Sequence, residues 1–390
     1  MFVDPLFKLM AEKQASDMFF TAAAPIQIKI NGVVMPVNSQ VLDPAAVKTI
    51  TYELMSEPQI KAFEQNLEMN FSVGRAEIGT FRVNVFRQRG AVAMVIRFIK
   101  PEIPSIEELK LPSVLKEVVM EKLGMILIVG STGSGKSSSM AAMIDYRNST
   151  RPGHILTIED PMEFTYKHKK SIVNQREVTM DTASYENALV SAMREAPDLL
   201  MIGEIRDRLT LQSALLFAQT GHLCLSTLHA NNSYHAMNRI INFFPREARE
   251  ALLADLAISL KCVISQRLVR AKSGGRVPAV EVMINTAHIA ELIKKGEMGE
   301  IKDAMEQSMA PGSQTFEQAL YNLYASGQIT LEDALANSDS ATNLHWLINN
   351  AGKVPAQAQA PGSSSAQATT QAPSGPGDDL SSIKLNLDLV

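Results

Sequence analysis

A glycine-rich segment, GSTGSGKS at residues 130–137, has the residue types and spacing of a phosphate-binding loop. It fits the pattern G-x-x-x-x-G-K-S, and it stands between an apolar strand-like run and a helical pattern, as this motif requires. The glycines let backbone N–H groups curl around phosphates at a helix N-terminus, Lys136 supplies a cation, and Ser137 offers a hydroxyl to Mg²⁺. We predict ATP and Mg²⁺ as ligands. The predicted ATP-binding residues are Gly130, Ser131, Thr132, Gly133, Ser134, Gly135, Lys136, Ser137 and Ser138.

Three carboxylates lie close together in TIEDPMEF at residues 157–164. ATP hydrolysis needs a group that positions or deprotonates the attacking water, and a carboxylate can fill this role. Glu159 and Asp160 leave a strand that we expect beside the strand of the phosphate-binding loop. Glu163 lies beyond a proline and is free to point back. The residue types alone do not choose among the three.

Two further strand-like runs end in polar side chains suited to a nucleotide site. DLLMIGE ends in Glu204, and an acid at the end of a neighbouring strand can hold Mg²⁺ directly or through water. TGHLCLSTLHA places His222 and His229 at opposite ends of a buried strand. His229 stands at the carboxyl end, where a parallel sheet presents its ligands, so it can hydrogen-bond the γ-phosphate. Arg206 and Asp207 follow Glu204, and the sequence does not separate their roles.

Arginines near the predicted N-terminal strands are candidates for stabilising charge during hydrolysis. An arginine that meets the developing charge accelerates phosphoryl transfer, and it often comes from a neighbouring subunit. An ordinary solvent-facing position is the competing interpretation for each. The candidates are Arg82, Arg87, Arg89 and Arg97.

The elements that must position these groups form an α/β pattern over residues 114–290. Continuously apolar strands alternate with helical patterns, which is typical of a parallel sheet buried between helices. Residues 280–350 show helical spacing of Met and Leu. The predicted strands are MILIVG (125–130), HILTIE (154–159), DLLMIGE (198–204) and HLCLSTL (222–228).

Residues 1–100 instead have an α+β pattern, with a hairpin signal at Asn31-Gly32 and two strands over 79–99. Phe81, Val83 and Val85 share one face of the first of these strands. A segment containing prolines at 101–113 is the predicted interdomain linker and hinge. We further predict an ATPase domain at 114–290, a C-terminal helical region at 291–350 and a disordered tail at 351–390, because the tail contains almost no large apolar residue before its last ten. The terminal SSIKLNLDLV alternates as a strand that could add to a partner's sheet, although an unstructured end fits it as well.

Composition excludes several classes. The net charge of −4 and the absence of a long Lys/Arg run argue against a nucleic-acid partner or a RecA-like nucleic-acid motor. Cys224 and Cys262 fit neither a zinc site nor a disulfide framework. No apolar run is long enough to span a bilayer and no signal peptide is visible, so we expect a cytoplasmic protein.

The four motifs together resemble the type II/IV secretion ATPases. GSTGSGKS, TIEDPMEF, MIGEIRD and TGHLCLSTLHA occur in the order and spacing of that family's Walker A, Asp box, Walker B and His box. The resemblance covers residues 1–345 and implies a RecA-like P-loop core with a small PAS-like N-terminal domain. It also implies that Glu163 is the catalytic glutamate of the Asp box, that Glu204 is the Walker B glutamate and that His229 lies near the γ-phosphate. Arg82 and Arg97 match the family arginines that reach the nucleotide.

The chain is most similar to the pilus-retraction branch, since it lacks the four-cysteine zinc motif of the assembly and secretion branches. One retraction paralogue carries the motif AIRNLIRE; this chain has HIAELIKK at 288–295, with Ala290 and Lys294 in place of the two arginines. It resembles the other paralogue, which usually has a C-terminal extension. The resemblance implies a homohexamer at the inner-membrane base of the pilus machine, acting on a platform protein, with a paralogous retraction ATPase as a further candidate partner. The alternative is an ATP-binding accessory subunit that acts through another hexamer.

Overall fold

An antiparallel sheet of six strands forms the N-terminal part of the protein. The computed structural model describes residues 2–30, 32–75, 78–99, 102–308 and 310–350. The strand order is β3-β2-β1-β6-β5-β4. The elements are α1 (Asp4–Glu12), β1 (Asp17–Phe20), β2 (Pro25–Ile30), β3 (Val33–Val41), α2 (Pro44–Glu53), α3 (Glu57–Asn66), β4 (Glu68–Arg75), β5 (Gly79–Gln88) and β6 (Ala91–Ile99).

The predicted alternation explains how this sheet folds. Phe81, Val83 and Val85 are fully buried on one face of β5, and Phe7 of α1 stacks on Phe81 with ring centroids 4.0 Å apart. The predicted hairpin is also present, because β2 pairs antiparallel with β3 from Ile30 and Val33 onward. The opposite face of β5 carries mostly polar side chains, and Arg82 is one of them.

A seven-stranded sheet forms the second part, in the order β13-β12-β7-β11-β10-β8-β9. All neighbouring strands are parallel except β12 and β13, which are antiparallel. The strands are β7 (Gly124–Val129), β8 (Gly153–Glu159), β9 (Ser171–Glu177), β10 (Leu199–Ile202), β11 (Leu223–Leu228), β12 (Leu260–Arg270) and β13 (Arg276–Ile284).

Helices cover both faces of this sheet, which is why its strands are apolar without alternation. Met125, Leu127 and Val129 of β7 face one cluster, and Ile126 and Ile128 face the other. The helices are α4 (Val114–Val118), α5 (Lys136–Thr150), α6 (Tyr185–Ala192), α7 (Arg208–Gln219), α8 (Ser233–Asn242), α9 (Arg249–Ser259), α10 (Ala287–Lys295), α11 (Ile301–Glu306), α12 (Phe316–Ala325), α13 (Leu331–Ala336) and α14 (Ala341–Asn349), with 3₁₀ turns at Arg246–Ala248 and Met298–Glu300. The α/β class with a parallel core and an N-terminal α+β part is confirmed.

The strand order corrects one expectation. We predicted that β8, which leads to Glu159, lies beside the strand of the phosphate-binding loop, and this prediction is wrong. The direct neighbours of β7 are β11 and β12, and β10 lies between β11 and β8. Glu204 is likewise one strand further from β7 than expected, because β11 intervenes. The order of strands depends on crossover connections that the local pattern does not encode.

Three strands of the large sheet were not predicted. The run at β9, SIVNQRE, has little apolar character because β9 is an edge strand. Strands β12 and β13 form an antiparallel hairpin, whereas the spacing of residues 280–350 predicted helices. That prediction is wrong for residues 280–284, which complete β13, and right for α10 to α14 beyond them.

Other expectations have mixed outcomes. Ile106 and Leu111, inside the predicted linker, are buried in the cluster that also contains Ile126 and Ile128. Cys224 and Cys262 are free and fully buried, as small hydrophobic residues would be. The predicted tail at 351–390, with its terminal strand-like segment, lies outside the described residues. Among the helices of the described residues, none is long and apolar enough to cross a membrane.

Candidate active site

The phosphate-binding loop joins β7 to α5 and depends on glycine at two close approaches. A Cβ atom on Gly130 would lie 2.4 Å from Oγ of Ser134 and 2.6 Å from the backbone oxygen of Gln266. Gly135 has φ = 91°, and a Cβ atom there would lie 2.7 Å from Nε2 of Gln266. Side chains at either position would therefore force the loop away from β12 and open its curl.

Lys136, the first residue of α5, is held inside the curled loop. Its Nζ donates to the carbonyl oxygens of Gly130 and Ser131, both at 2.9 Å. Burial lowers the pKa of Lys136, while the charges of Glu204 and Glu163 raise it. The Oγ of Ser134 is buried and has no hydrogen-bond partner among the described residues. A cation and an unsatisfied hydroxyl inside a loop of backbone amides form a site complementary to phosphate oxygens.

A cleft of about 240 Å³ opens beside this loop, at the carboxyl ends of the parallel strands. Seven of the predicted site residues line it: Thr132, Gly133, Lys136, Ser137, Glu163, Glu204 and His229. Gly130, Ser131, Ser134, Gly135 and Ser138 belong to the loop and first helical turn behind that wall. The fold therefore brings the nucleotide loop, the acidic loop and the two strand-end residues to one place.

Glu204 lies at the centre of a small network of charged side chains. Its Oε1 is 3.3 Å from Nε2 of His229, and its Oε2 accepts a hydrogen bond from Nε of Arg206 at 2.8 Å. Arg206 also donates through Nη1 to Asp160 at 3.3 Å. The structure thus separates the two residues that the sequence could not, because Asp207 instead caps α7 by accepting the N–H of Thr210.

The residues at the cleft fit a magnesium ion that is shared with phosphates. Among the described residues no group of three His, Cys, Asp or Glu side chains could hold a metal by itself. Ser137 and Glu204 both line the cleft beside Lys136. Mg²⁺ is commonly held by one or two protein oxygens together with substrate phosphates, so this sparse set is sufficient.

The two predicted strand-end histidines have different surroundings. His229 contacts Glu204 in the cleft. The Nδ1 of His222 lies 3.2 Å from the backbone oxygen of Phe217, at the opposite end of β11. Only His229 is placed to meet a nucleotide.

The three carboxylates of the acidic loop also differ in their surroundings. Glu159 is buried, and its Oε1 accepts hydrogen bonds from Oγ1 of Thr157 at 2.7 Å and from Nε2 of Gln175 at 3.2 Å. Asp160 is engaged by Arg206. Glu163 is exposed on the cleft wall. Asp160 is exposed as well but is paired with Arg206, which leaves Glu163 as the carboxylate more available to water.

Burial of Glu159 predicts a pH-dependent stability. Burial raises the pKa of Glu159 to about 7, although hydrogen bonds from Thr157 and Gln175 oppose the shift. The folded state therefore holds a proton that the unfolded state releases near pH ~4.3, so this group costs stability as the pH rises from there through 7. We expect Glu159→Gln, which keeps the size of the side chain, to gain roughly 1–3 kcal/mol relative to wild type between pH 5 and pH 8.

Urea unfolding midpoints of both proteins at the two pH values measure this gain. Glu163→Gln, which removes an exposed carboxylate from the same loop, is the control. An equal difference between wild type and Glu159→Gln at both pH values would contradict the expectation.

The candidate arginines lie on the N-terminal sheet in different situations. Arg82 is half-buried, and burial lowers its pKa, while the charges of Glu177, Asp160 and Glu163 raise it. Arg82 and Arg97 are cross-strand neighbours, and Arg97 donates through Nε to Oδ1 of Asp17 at 2.8 Å. The negative charges around the acidic loop therefore act on Arg82, whereas Arg97 is paired within its own sheet.

The remaining two arginines have local roles. Arg87 forms an ion pair with Glu64, and its Nη1 donates to the backbone oxygen of Gly90. Arg89 has φ = 49° in the turn between β5 and β6. Both serve the N-terminal sheet.

Sequence reasoning missed several groups at the cleft. Tyr185 lines it from the start of α6, and Gln175 and Glu177 on β9 bond to the acidic loop. Glu177 is the last residue of its strand, as Glu159 is of β8. The search for acids at strand ends that identified Glu159 and Glu204 would have found Glu177 if β9 had been recognised.

The fold and the cleft define a P-loop ATPase, and comparison with known families gives its family. The family model "Type II/IV secretion system protein" matches residues 1–336. The chain belongs to this family, and its predicted place in the pilus-retraction branch is confirmed.

The relatives agree with this placement. The chain is 49% identical to the "Type IV pilus ATPase PilU" of Pseudomonas aeruginosa, over 88% of this chain and 91% of that protein. It is 40% identical to the "Type IV pilus retractation ATPase PilT" of the same organism, over 85% of this chain and 96% of that protein. A crystal structure of the pilus retraction motor PilT with bound ADP superposes with a TM-score of 0.82 at 41% identity, covering 87% of this chain and 98% of that one. Identity is higher to PilU than to PilT, as the altered motif at 288–295 suggests.

Proposed function

We propose that this chain is the subunit of a homohexameric motor that uses ATP hydrolysis to retract a type IV pilus and so drives twitching motility. One observation carries the proposal: a complete nucleotide cleft occurs in a chain that is 49% identical, over 88% of its length, to a type IV pilus ATPase. The relative at 40% identity is named a retraction ATPase, which favours retraction over assembly.

In the proposed reaction Glu163 orients or deprotonates the attacking water. Its exposure on the cleft wall supports this role. Of the other two carboxylates, Glu159 is buried and accepts hydrogen bonds, and Asp160 is paired with Arg206. Lys136 and the loop amides bind the phosphates. His229, 3.3 Å from Glu204, hydrogen-bonds the γ-phosphate and so responds to its loss.

Mg²⁺ would be held by Ser137 and by Glu204, directly or through water, and would neutralise charge on the phosphates. Arg206 donates a hydrogen bond to one carboxylate oxygen of Glu204. A hydrated cation would compete for the same oxygen, which supports an exchange of partners at Glu204 when Mg²⁺ binds. We propose that Arg82 and Arg97 stabilise developing charge. Arg97 can do so only after it leaves Asp17.

The work of the motor would come from movement of the N-terminal sheet relative to the ATPase sheet. The proposed division is an N-terminal domain at 1–100, a linker at 101–113, an ATPase domain at 114–290, a C-terminal helical region at 291–350 and a tail at 351–390. Since Ile106 is buried with the ATPase core, we place the bending point of the linker before it. The proposed partners are an inner-membrane platform protein and a paralogous retraction ATPase, and the proposed location is the cytoplasmic base of the pilus machine.

Deletion of the gene tests the retraction proposal. Loss of a retraction motor leaves cells piliated but poorly motile, whereas loss of an assembly motor leaves them bald. We expect piliated cells with reduced twitching, restored by the wild-type gene. Bald cells would contradict the proposal. A defect seen only in cells that lack a second retraction ATPase would identify an accessory subunit.

A further inference from the structure

The segment that carries Glu163 has no regular backbone hydrogen bonding of its own. Residues 162–168 belong to no helix, strand or turn, yet they form one wall of the active-site cleft. Backbone N–H and C=O groups in such a segment need partners elsewhere, and those partners determine where its side chains point. The position of Glu163 is therefore decided by whatever binds this backbone.

Side chains at the end of β9 bind it at three points. Oε2 of Glu177 accepts the N–H of Met162 at 3.2 Å. Gln175 donates through Nε2 to the backbone oxygen of Phe164 at 2.9 Å and accepts the N–H of Tyr166 through Oε1 at 2.8 Å. These contacts hold the backbone on both sides of Glu163: at the residue before it, at the residue after it and at the third residue after it.

The same face of the sheet ties this arrangement to β8. Gln175 lies opposite Thr157, and Glu177 lies opposite Glu159, in the parallel pairing of β8 and β9. Nε2 of Gln175 also donates to Oε1 of Glu159 at 3.2 Å. The two strand ends therefore form one hydrogen-bonded support, whose position is set by the sheet and not by the loop.

The other end of the segment is attached to the helix of the phosphate-binding loop. Nδ2 of the buried Asn148 in α5 donates to the backbone oxygen of Lys167 at 2.7 Å, and its Oδ1 accepts the N–H of Lys169 at 3.2 Å. Because α5 begins at Lys136, the segment that carries Glu163 is attached to β9 on one side and to the helix of the phosphate-binding loop on the other. Both anchors lie in regular secondary structure.

We propose that Gln175 and Glu177 are positioning residues for ATP hydrolysis, which hold the backbone on either side of Glu163 so that its carboxylate meets the attacking water. This inference rests on the proposed role of Glu163. Neither residue needs to touch the nucleotide, because each acts through backbone groups of the loop. The negative charge of Glu177 also raises the pKa of Arg82.

The main test replaces Gln175 with leucine, which removes all three of its hydrogen bonds at similar size. A displacement of the acid by about 1 Å predicts a fall in kcat of about 10²-fold, with KM for ATP changed by less than about threefold. Asn174→Ala is the control, because Asn174 lies on the opposite face of β9, where its Nδ2 is 3.2 Å from Nε2 of His154. We expect this control within about twofold of wild type.

Two variants of Glu177 provide an independent test that does not depend on the fold tolerating leucine. Glu177→Gln keeps an oxygen that can accept the N–H of Met162, whereas Glu177→Ala leaves that N–H without a partner. We expect kcat to fall about tenfold in Glu177→Ala and to stay within about threefold of wild type in Glu177→Gln. Thermal unfolding of each variant separates this loss from general destabilisation.

A double variant with Gln175→Leu and Glu163→Gln distinguishes positioning of Glu163 from an unrelated effect of the Gln175 substitution. If Gln175 acts only through Glu163, Gln175→Leu causes no further loss of the residual rate in a Glu163→Gln background. Additive losses, an unchanged kcat in Gln175→Leu, or a rise in KM alone would each overturn the inference. If Glu163→Gln itself turned over normally, the proposed role of Glu163 would fail instead, and the two failures are distinguishable.

Discussion

Glu163→Gln is expected to keep ATP binding within about threefold of wild type while lowering kcat by about 10²–10⁴-fold. The substitution preserves the size of the side chain but removes its ability to accept a proton from water. Nucleotide binding should survive because the phosphate contacts come from the loop around Lys136, and Glu163 lies on the facing wall of the cleft. Steady-state turnover and direct nucleotide titration of the purified protein measure the two quantities separately.

Glu159→Gln is the necessary companion to this experiment. Burial raises the pKa of Glu159 to about 7, and a base that titrates near the working pH is chemically competent. We nevertheless expect Glu159→Gln to retain most of its turnover, because its carboxylate is taken up by Thr157 and Gln175. Normal hydrolysis by Glu163→Gln together with loss of hydrolysis in Glu159→Gln would reverse the assignment.

Lys136→Ala should weaken nucleotide binding strongly and abolish turnover. The ammonium is buried at the base of the cleft and is held by two backbone carbonyl groups, so its charge is presented to phosphates in a poorly solvated site. Loss of a charge-assisted contact of this kind costs about 2–4 kcal/mol, which corresponds to a rise in Kd for ATP of about 30- to 1,000-fold. The loop would also lose two of its own hydrogen bonds.

The exposed Lys122, shortly before β7, provides the matched control for a change of net charge. Lys122→Ala should bind ATP as wild type does.

Cells that carry Lys136→Ala should reproduce the motility defect of the deletion, tested with and without a second retraction ATPase. ATP binding by Lys136→Ala at wild-type affinity would contradict the assignment of this loop to the phosphates.

The sequence determined those parts of the site that are encoded locally. The phosphate-binding loop could be recognised because strand, loop and helix are contiguous between Gly124 and Thr150, and two of its glycines have close approaches that exclude a side chain. The buried strands could be recognised because both of their faces are covered, which requires an uninterrupted apolar run. Alternation on β5 likewise predicted its buried face and left Arg82 on the other.

Only the tertiary structure decided which of these groups meet. Two strands lie between β8 and β7 in the sheet. The distance between Glu159 and the phosphate-binding loop is therefore fixed by the crossover connections, which the local spacing of residues does not encode. Strand β9 was missed because an edge strand needs no continuous apolar run, and Gln175 and Glu177 were missed with it. Arg206 and Asp207 are adjacent in the chain, yet one engages Glu204 and Asp160 while the other caps a helix. Such roles depend on contacts between residues that are distant in sequence, and those contacts exist only once the sheet has assembled.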